Sequence, residues 1–373
     1  MSTLKPLEHG STPKKPQAIL LVGFGGPEGP EDVWPFLESV TAGRNIPTDR
    51  LTEVADRYLS RGGVSPVNER MRSVLEAVQK VLDQELLDIP VFLGNRNSTP
   101  FIEETIEELD RQGLTEVAAW IASPYRSYSS CRQYLEQIEA GMKRVDQRVS
   151  VTRLRPHFDH PGCIDTAADR LTEALLDLPK DKQEKTHLLF SAHSLPLSAA
   201  ESCSYVEEIH EAARLIAERV DPNNKLSWEV VWQSRSGPPQ VPWLIPDVCD
   251  RIDELASEGV SSVAISPVGF IVHNFEIEWD LDVEAAECAA GHGMAFSLAS
   301  RTFRRGGAAL RVRGPWRFSI RDGGRTSCTR PRLTVPTGGR PDSDPACGHG
   351  RVLRVGGGGQ ATRAAWPSGG GRW

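Results

Sequence analysis

The chain has 373 residues, is 39% hydrophobic and 25% charged, and carries a net charge of −7; these are values of an ordinary soluble globular protein, long enough for two domains. No stretch approaches the roughly 20 apolar residues that a membrane span needs, and the polar, Pro-rich start MSTLKPLEHGSTPKKPQ lacks the apolar core of a secretory signal. Seven cysteines stand far apart with no CxxC pair, which fits reduced thiols in the cytoplasm and argues against a disulfide framework.

In chain order, residues 1–16 read as a flexible arm. QAILLVGFGG (17–26) is a buried strand ending in a glycine turn, and PEDVWPFLESV (30–40) starts a helix. MRSVLEAVQKVLDQELL (71–87) has apolar residues at helical spacing and runs into a short apolar stretch, IPVFLGN (89–95). IEETIEELDRQG (102–113) is a helix closed by glycine, and EVAAWIAS (116–123) is the next strand. KTHLLFSAHS (185–194), LSWEVVWQS (226–234) and SSVAISPVGF (261–270) are further strands, with helices near 203–219 and 247–258. Strand and helix taking turns predict an α/β fold with parallel sheets covered on both faces. In such sheets ligands sit beyond the carboxyl ends of the strands. No internal repeat and no sustained heptad pattern stands out.

After about Phe296 the alternation stops. From Arg301 onward there are fifteen arginines, three aspartates, no lysine and no glutamate, a charge of +12 that leaves −19 for residues 1–300. The same segment holds sixteen of the 33 glycines. It has too little apolar surface to offset the entropy of ordering, so 297–373 is expected to be disordered. An arginine-rich, RNA-binding tail is one reading. Without RGG repeats or interleaved aromatics, out-of-frame translation of a GC-rich gene is the favoured one.

Several motifs carry chemistry. His193 ends the apolar run LLFSAHSLP (188–196), either as a core histidine satisfied by a carbonyl or as a base or metal ligand at a cleft. GFGGPEGPED (23–32) suggests a dinucleotide loop, but Glu28 stands where a third glycine belongs, so a tight strand-to-helix turn is preferred. FIVHNFEIEWDLDVEAAE (270–287) carries Glu276, Glu278, Asp280, Asp282 and Glu284. Most of these carboxylates read as a solvated, acidic helix start; Glu276, soon after a strand end, can face the same cleft as His193. The hydroxyl-rich ASPYRSYSSCRQY (122–134) suits either helix capping or, with Arg132, the carboxylates of a ligand. ADRYLSRGGVSP (55–66) offers Arg57, Tyr58 and Ser65 to an anion, or is simply a helix with a glycine stop. Trp232 and Trp243 flank a Pro/Gly loop, as packing or as a platform for a flat ligand.

Together ILLVGFGGPEGPEDVWPFLESVTAGRNIP, RYLSRGGVSPVNE, VFLGNRN, SYSSCRQY, SAHSLP, WQSRSGPPQVPWL, SPVGF and EIEWDLD resemble the ferrochelatases, in the family's order and over roughly 17–295. The resemblance is closest to the actinobacterial type, whose members act on coproporphyrin III to give coproheme in haem biosynthesis. It implies two Rossmann-like, doubly wound domains of the chelatase type, here 17–155 and 156–296, with a cleft between them. It also implies that Fe2+ is a substrate held by His193 and Glu276, that these two are catalytic, and that Phe24, Arg57, Tyr58, Ser65 and Tyr134 contact the porphyrin. The same resemblance implies a cytoplasmic enzyme, in transient contact with other haem-pathway enzymes and with no nucleic-acid partner. The alternatives are an impaired member that carries porphyrin or coproheme, and a protoporphyrin IX ferrochelatase.

Three departures from the family pattern stand out. His273 and Asn274 occupy positions where many members of this branch have Asp-His; Phe24 replaces a tyrosine of some coproporphyrin enzymes; and nothing after about 296 resembles the closing helices. Members with a [2Fe–2S] cluster use four cysteines, several near the C-terminus. Cys163 could be one, but Cys328 and Cys347 stand 19 apart in unrelated sequence, so no cluster is expected.

Overall fold

The structure is a computed structural model that describes residues 15–43, 46–237 and 240–299. Nearly all of the expected N-terminal arm, and the arginine-rich segment from 300 onward, lie outside the described residues.

Two four-stranded parallel sheets organise the rest. β1 (Ala18–Gly23), β2 (Val91–Asn95), β3 (Glu116–Ile121) and β4 (Ser150–Arg153) stand in the order β2-β1-β3-β4. β5 (His187–His193), β6 (Trp228–Gln233), β7 (Ser262–Ser266) and β8 (Ala295–Leu298) stand in the order β6-β5-β7-β8. The topology is therefore used twice, as the expected pair of Rossmann-like domains requires, although no repeat is visible in the residues. β8 also crosses the boundary expected at 296, and the Ala299 N–H donates to the Ile265 carbonyl at 2.8 Å, so the second sheet extends further.

Helices occupy every connection. α1 (Val33–Thr41), α2 (Thr48–Ser60) and α3 (Val67–Gln84) link β1 to β2; α4 (Ile102–Arg111) and α5 (Gln133–Arg144) follow β2 and β3. α6 (Pro161–Asp177) and the short α7 (Lys180–Gln183) lead into β5; the short α8 (Leu197–Ala200) and α9 (Tyr205–Val220) lie between β5 and β6. α10 (Val248–Ser257) precedes β7, and a wide-turn π-helix (Ile277–Ala285) continues into α11 (Ala286–Gly291) before β8.

The central strands read as continuous apolar runs because both faces are covered. Leu20, Val22 and Ala119 pack on Ile102, Ile106 and Ile138 of α4 and α5, while Leu21 and Leu93 meet Met71 of α3 on the other face. In the second half, Leu188, Phe190 and Val230 bury against Leu171 of α6 and Ile209 and Ile216 of α9. Leu189, Val231 and Val263 bury against Ile252 and Leu255 of α10 and Leu281 of the π-helix. Each such side chain contributes about 1.5–3 kcal/mol by leaving water.

The halves meet through specific contacts. The Tyr125 hydroxyl donates to the Val268 carbonyl at 2.9 Å, and the Arg126 N–H donates to the Glu208 carboxylate at 2.7 Å, with the Arg126 guanidinium paired to the same group. Val272, beyond β7, joins the cluster of Leu21, Met71 and Leu93.

Gly269 lies directly on β5: its N–H donates to Ser191, and a Cβ there would stand 2.7 Å from the Ala192 Cα. Backbone cannot yield as a flexible side chain does. Gly269→Ala is expected to cost about 1–3 kcal/mol through forced strand displacement, read as a lowered urea midpoint at unchanged slope. Gly25, with φ +81°, needs its missing Cβ for a different reason, since the left-handed conformation and the Ser98 main chain at 2.9 Å both oppose a side chain. The β1 exit is thus the tight strand-to-helix turn that the sequence suggested. Among the described residues, no helix is long and apolar enough to cross a membrane.

Candidate active site

In both sheets the strand order reverses beside the first strand, β1 or β5, and the crevice at such a point is where open α/β sheets take ligands. His193 is the last residue of β5, with its side chain about a third exposed. Its Nδ1 lies 2.5 Å from the Ser194 carbonyl, and its own carbonyl accepts from the Tyr205 hydroxyl at 3.1 Å. A carbonyl can only accept, so Nδ1 carries the proton and Nε2 of the neutral ring presents a lone pair. That Nε2 faces the Glu276 carboxylate at 4.0 Å. The core and cleft readings of the histidine are both realised: one nitrogen is satisfied by backbone, and the other is open to chemistry.

Glu276 stands at the N-terminal end of the π-helix, where the Asn274 side chain accepts the Ile277 N–H at 3.0 Å. Ile277, Leu281 and Ala285 bury on one side of the helix. The same four-residue step sets Glu276, Asp280 and Glu284 in a line, because a π turn holds more residues than an α turn.

Asp280 departs from the solvated reading. The residue as a whole is partly covered, but its carboxyl is enclosed, accepting from the Gln233 amide at 3.2 Å and from the Ser234 hydroxyl. Burial first, and then the charges of Glu276 and Glu284, push it up to about 7, against the two hydrogen bonds. Its proton is therefore exchangeable near neutrality. For Asp282, which is exposed, the solvated reading holds. His273, buried at the edge of this segment, lies 3.3 Å from Glu278 and 3.7 Å from Asp282.

An aromatic wall borders the pair. Tyr58 stacks on Phe275 with centroids 3.9 Å apart, Phe275 stacks on Trp279 at 6.2 Å, and Phe36 and Phe24 continue the row edge-on. Arg57 lies over the Trp279 ring at 4.8 Å and 3.8 Å from Glu284. Burial lowers the affinity of this guanidinium for its proton, and Glu284 and Glu53 oppose that shift. Arg96 lies 5.9 Å from the Phe24 ring.

The sequence-derived residues divide accordingly. His193, Glu276, Arg57, Tyr58 and Phe24 gather around this wall. Tyr58 is buried in the stack, its ring against Phe275. Tyr134 is buried in the core under α5, and Ser65 is buried, with its N–H on the Pro27 carbonyl at 2.9 Å. Burial first raises the Tyr58, Tyr205 and Tyr134 phenols; the charge of Glu276 adds to each, after Tyr125 at Tyr205 and against the pull of Arg96 at Tyr134.

Ser127 accepts the Ser130 N–H at 2.9 Å, a cap; Trp232 is buried beside Tyr205; and the Trp243 ring covers Gly237. Cys131, Cys163, Cys203, Cys249 and Cys288 are in no disulfide, whereas Cys328 and Cys347, on which the cluster expectation rests, lie outside the described residues. Asp280, Tyr205, Phe275 and Ser234 were not singled out by the sequence. The four-residue step from Glu276 to Asp280 and on to Glu284 was the available signal.

The family profile described as Ferrochelatase matches residues 16–302. The chain is 45% identical over 293 residues to the coproporphyrin III ferrochelatase of Nocardia farcinica, covering 76% of this chain and 82% of that one. It is 43% identical over 288 residues to the coproporphyrin III ferrochelatase of Mycolicibacterium vanbaalenii, covering 76% and 84%. It is 40% identical over 285 residues to the ferrochelatase of Rhodopirellula baltica, covering 76% and 80%.

Proposed function

Because the chain belongs to the ferrochelatase family, we propose that it inserts Fe2+ into coproporphyrin III, giving coproheme and two protons, in the cytoplasm. The observation that carries the reading is the His193–Glu276 pair at the reversal point of the second sheet, 4.0 Å apart, with the acceptor nitrogen turned toward the carboxylate. The relatives named above support the choice of porphyrin.

A free-base porphyrin gives up two pyrrole protons as the metal enters. His193 Nε2 accepts one and becomes an imidazolium, which the Glu276 carboxylate stabilises across the cleft. The second proton leaves through Glu276 to Asp280, whose carboxyl exchanges its proton near neutrality. Both carboxylates also attract the incoming cation. The stack of Tyr58, Phe275 and Trp279, its inner rings buried against each other, braces the segment that carries Glu276 beside the macrocycle, and Arg57 meets a propionate. Phe24 offers no oxygen to iron, so metal ligation falls to Glu276 and to His193, whose single Nε2 lone pair can hold the cation only before it takes the proton.

The test is anaerobic iron insertion followed by the porphyrin absorbance, with coproporphyrin III and protoporphyrin IX compared. Faster turnover of coproporphyrin III supports the proposal. Preference for protoporphyrin IX overturns the substrate, and tight porphyrin binding by folded protein without turnover makes the chain a carrier.

A further inference from the structure

A second group of metal-binding side chains lies apart from these contacts. Asp253 of α10, Cys288 of α11 and His292 just beyond α11 bring one ligand atom each to within 4.8 Å of one another. The Cys288 thiol donates to Asp253 Oδ1 at 2.9 Å, and His292 Nε2 lies 2.8 Å from the same oxygen. The backbone holds the histidine in place, since the His292 N–H donates to the Ala289 carbonyl at 3.2 Å as the helix ends.

We propose that Asp253, Cys288 and His292 form a site for a divalent cation of the zinc class. The donor set is the argument. One thiolate, one imidazole and one carboxylate match Zn2+ or Co2+, whereas Mg2+ and Ca2+ prefer oxygen alone. Tetrahedral zinc places its ligands roughly 3.3–3.8 Å apart, so the two contacts to Asp253 need to open by less than an ångström, while thiol and imidazole already lie within 4.8 Å of each other. Thiol and carboxylate are partly buried and the imidazole is exposed, which leaves the fourth position to water. Binding replaces the thiol proton with the metal: the S–H bond breaks, a metal–sulfur bond forms and one proton passes to solvent. The neutral imidazole donates its Nε2 lone pair. Affinity therefore rises with pH.

The position gives the cation a role. α11 continues the π-helix that follows Glu276 and carries Asp280 and Glu284. A metal at Cys288 and His292 fastens the far end of that segment to α10, and so braces the carboxylate line from a distance.

The experiment is an anaerobic Co2+ titration of the full chain in a His193→Ala background, which removes metal binding at the catalytic histidine. The readout is the near-ultraviolet thiolate-to-cobalt charge-transfer band, which needs a cysteine ligand. The expected result is a band at one Co2+ per chain, bleached by Zn2+, abolished by Cys288→Ser and kept in Cys131→Ser. His292→Ala, at an exposed position where folding is not at stake, is expected to weaken binding by at least about tenfold. Absence of the band in the parent, or its persistence at full strength in Cys288→Ser, overturns the proposal.

Discussion

His193→Ala lowers the turnover of iron insertion by roughly a hundred- to ten-thousand-fold, the range spanned by removal of a positioned base, while porphyrin affinity stays close to that of the parent chain. The split follows from the geometry. Nδ1 is tied to the Ser194 carbonyl and only Nε2 reaches toward Glu276, so the ring offers one lone pair, to a proton or a metal, and adds little to the aromatic wall. The wall is built by Tyr58, Phe275 and Trp279. Turnover and binding are separated by steady-state kinetics alongside a fluorescence titration of the porphyrin. Equal losses in both would make His193 a packing residue, and an undiminished turnover would remove it from the chemistry. A retained backbone bond from Tyr205 is the check that the strand end has not moved, read as an unchanged unfolding midpoint.

Asp280→Asn changes the way stability depends on pH. In the unfolded chain this carboxyl titrates near 3.9; in the fold, burial holds it up at about 7. Between those values the folded state keeps a proton that the unfolded state has lost. Stability therefore falls as pH climbs from about 4 to about 7, and stays low above that. The amide cannot ionise and escapes this loss. The variant is expected to be more stable than the parent at pH 8, by an amount on the order of a few kcal/mol, and to match it near pH 4. Urea denaturation at the two pH values measures the difference. The same substitution removes a proton acceptor next to Glu276, so iron insertion at pH 8 is expected to fall as stability rises. Parallel stability curves would show that Gln233 and Ser234 already offset the burial of the charge.

The central strands were legible because they bury both faces and read as unbroken apolar runs: AILLVG and SVAIS can hardly be anything else. β4 and β8 were not. They are outer strands, SVTR and AFSL, with half-covered side chains, so neither alternation nor apolar run marks them. The duplicated topology was legible only through the family resemblance, since strand order is set by crossovers and leaves no residue pattern behind. At the site, His193 was visible as an imidazole after a buried strand, and Glu276 only through the spacing of its motif. Asp280 looked like another surface acid. Its enclosure depends on Ser234, a residue distant in sequence that the fold alone brings alongside. Tyr58 and Tyr134 looked like available hydroxyls, and the helices that carry them turn both rings inward.

The doubled sheet has a consequence for how the protein is made. Among the described residues, strand pairing does not cross from one sheet to the other, and the first sheet is complete at Arg153, before any strand of the second begins at His187. A ribosome releasing the chain from its N-terminus can therefore let the first half close while the second is still being synthesised. His193 and Glu276 both belong to the later half, and Tyr58 and Arg57 to the earlier one. The surroundings of the pair are thus completed last, when the second half brings Phe275 onto the Tyr58 ring of the first.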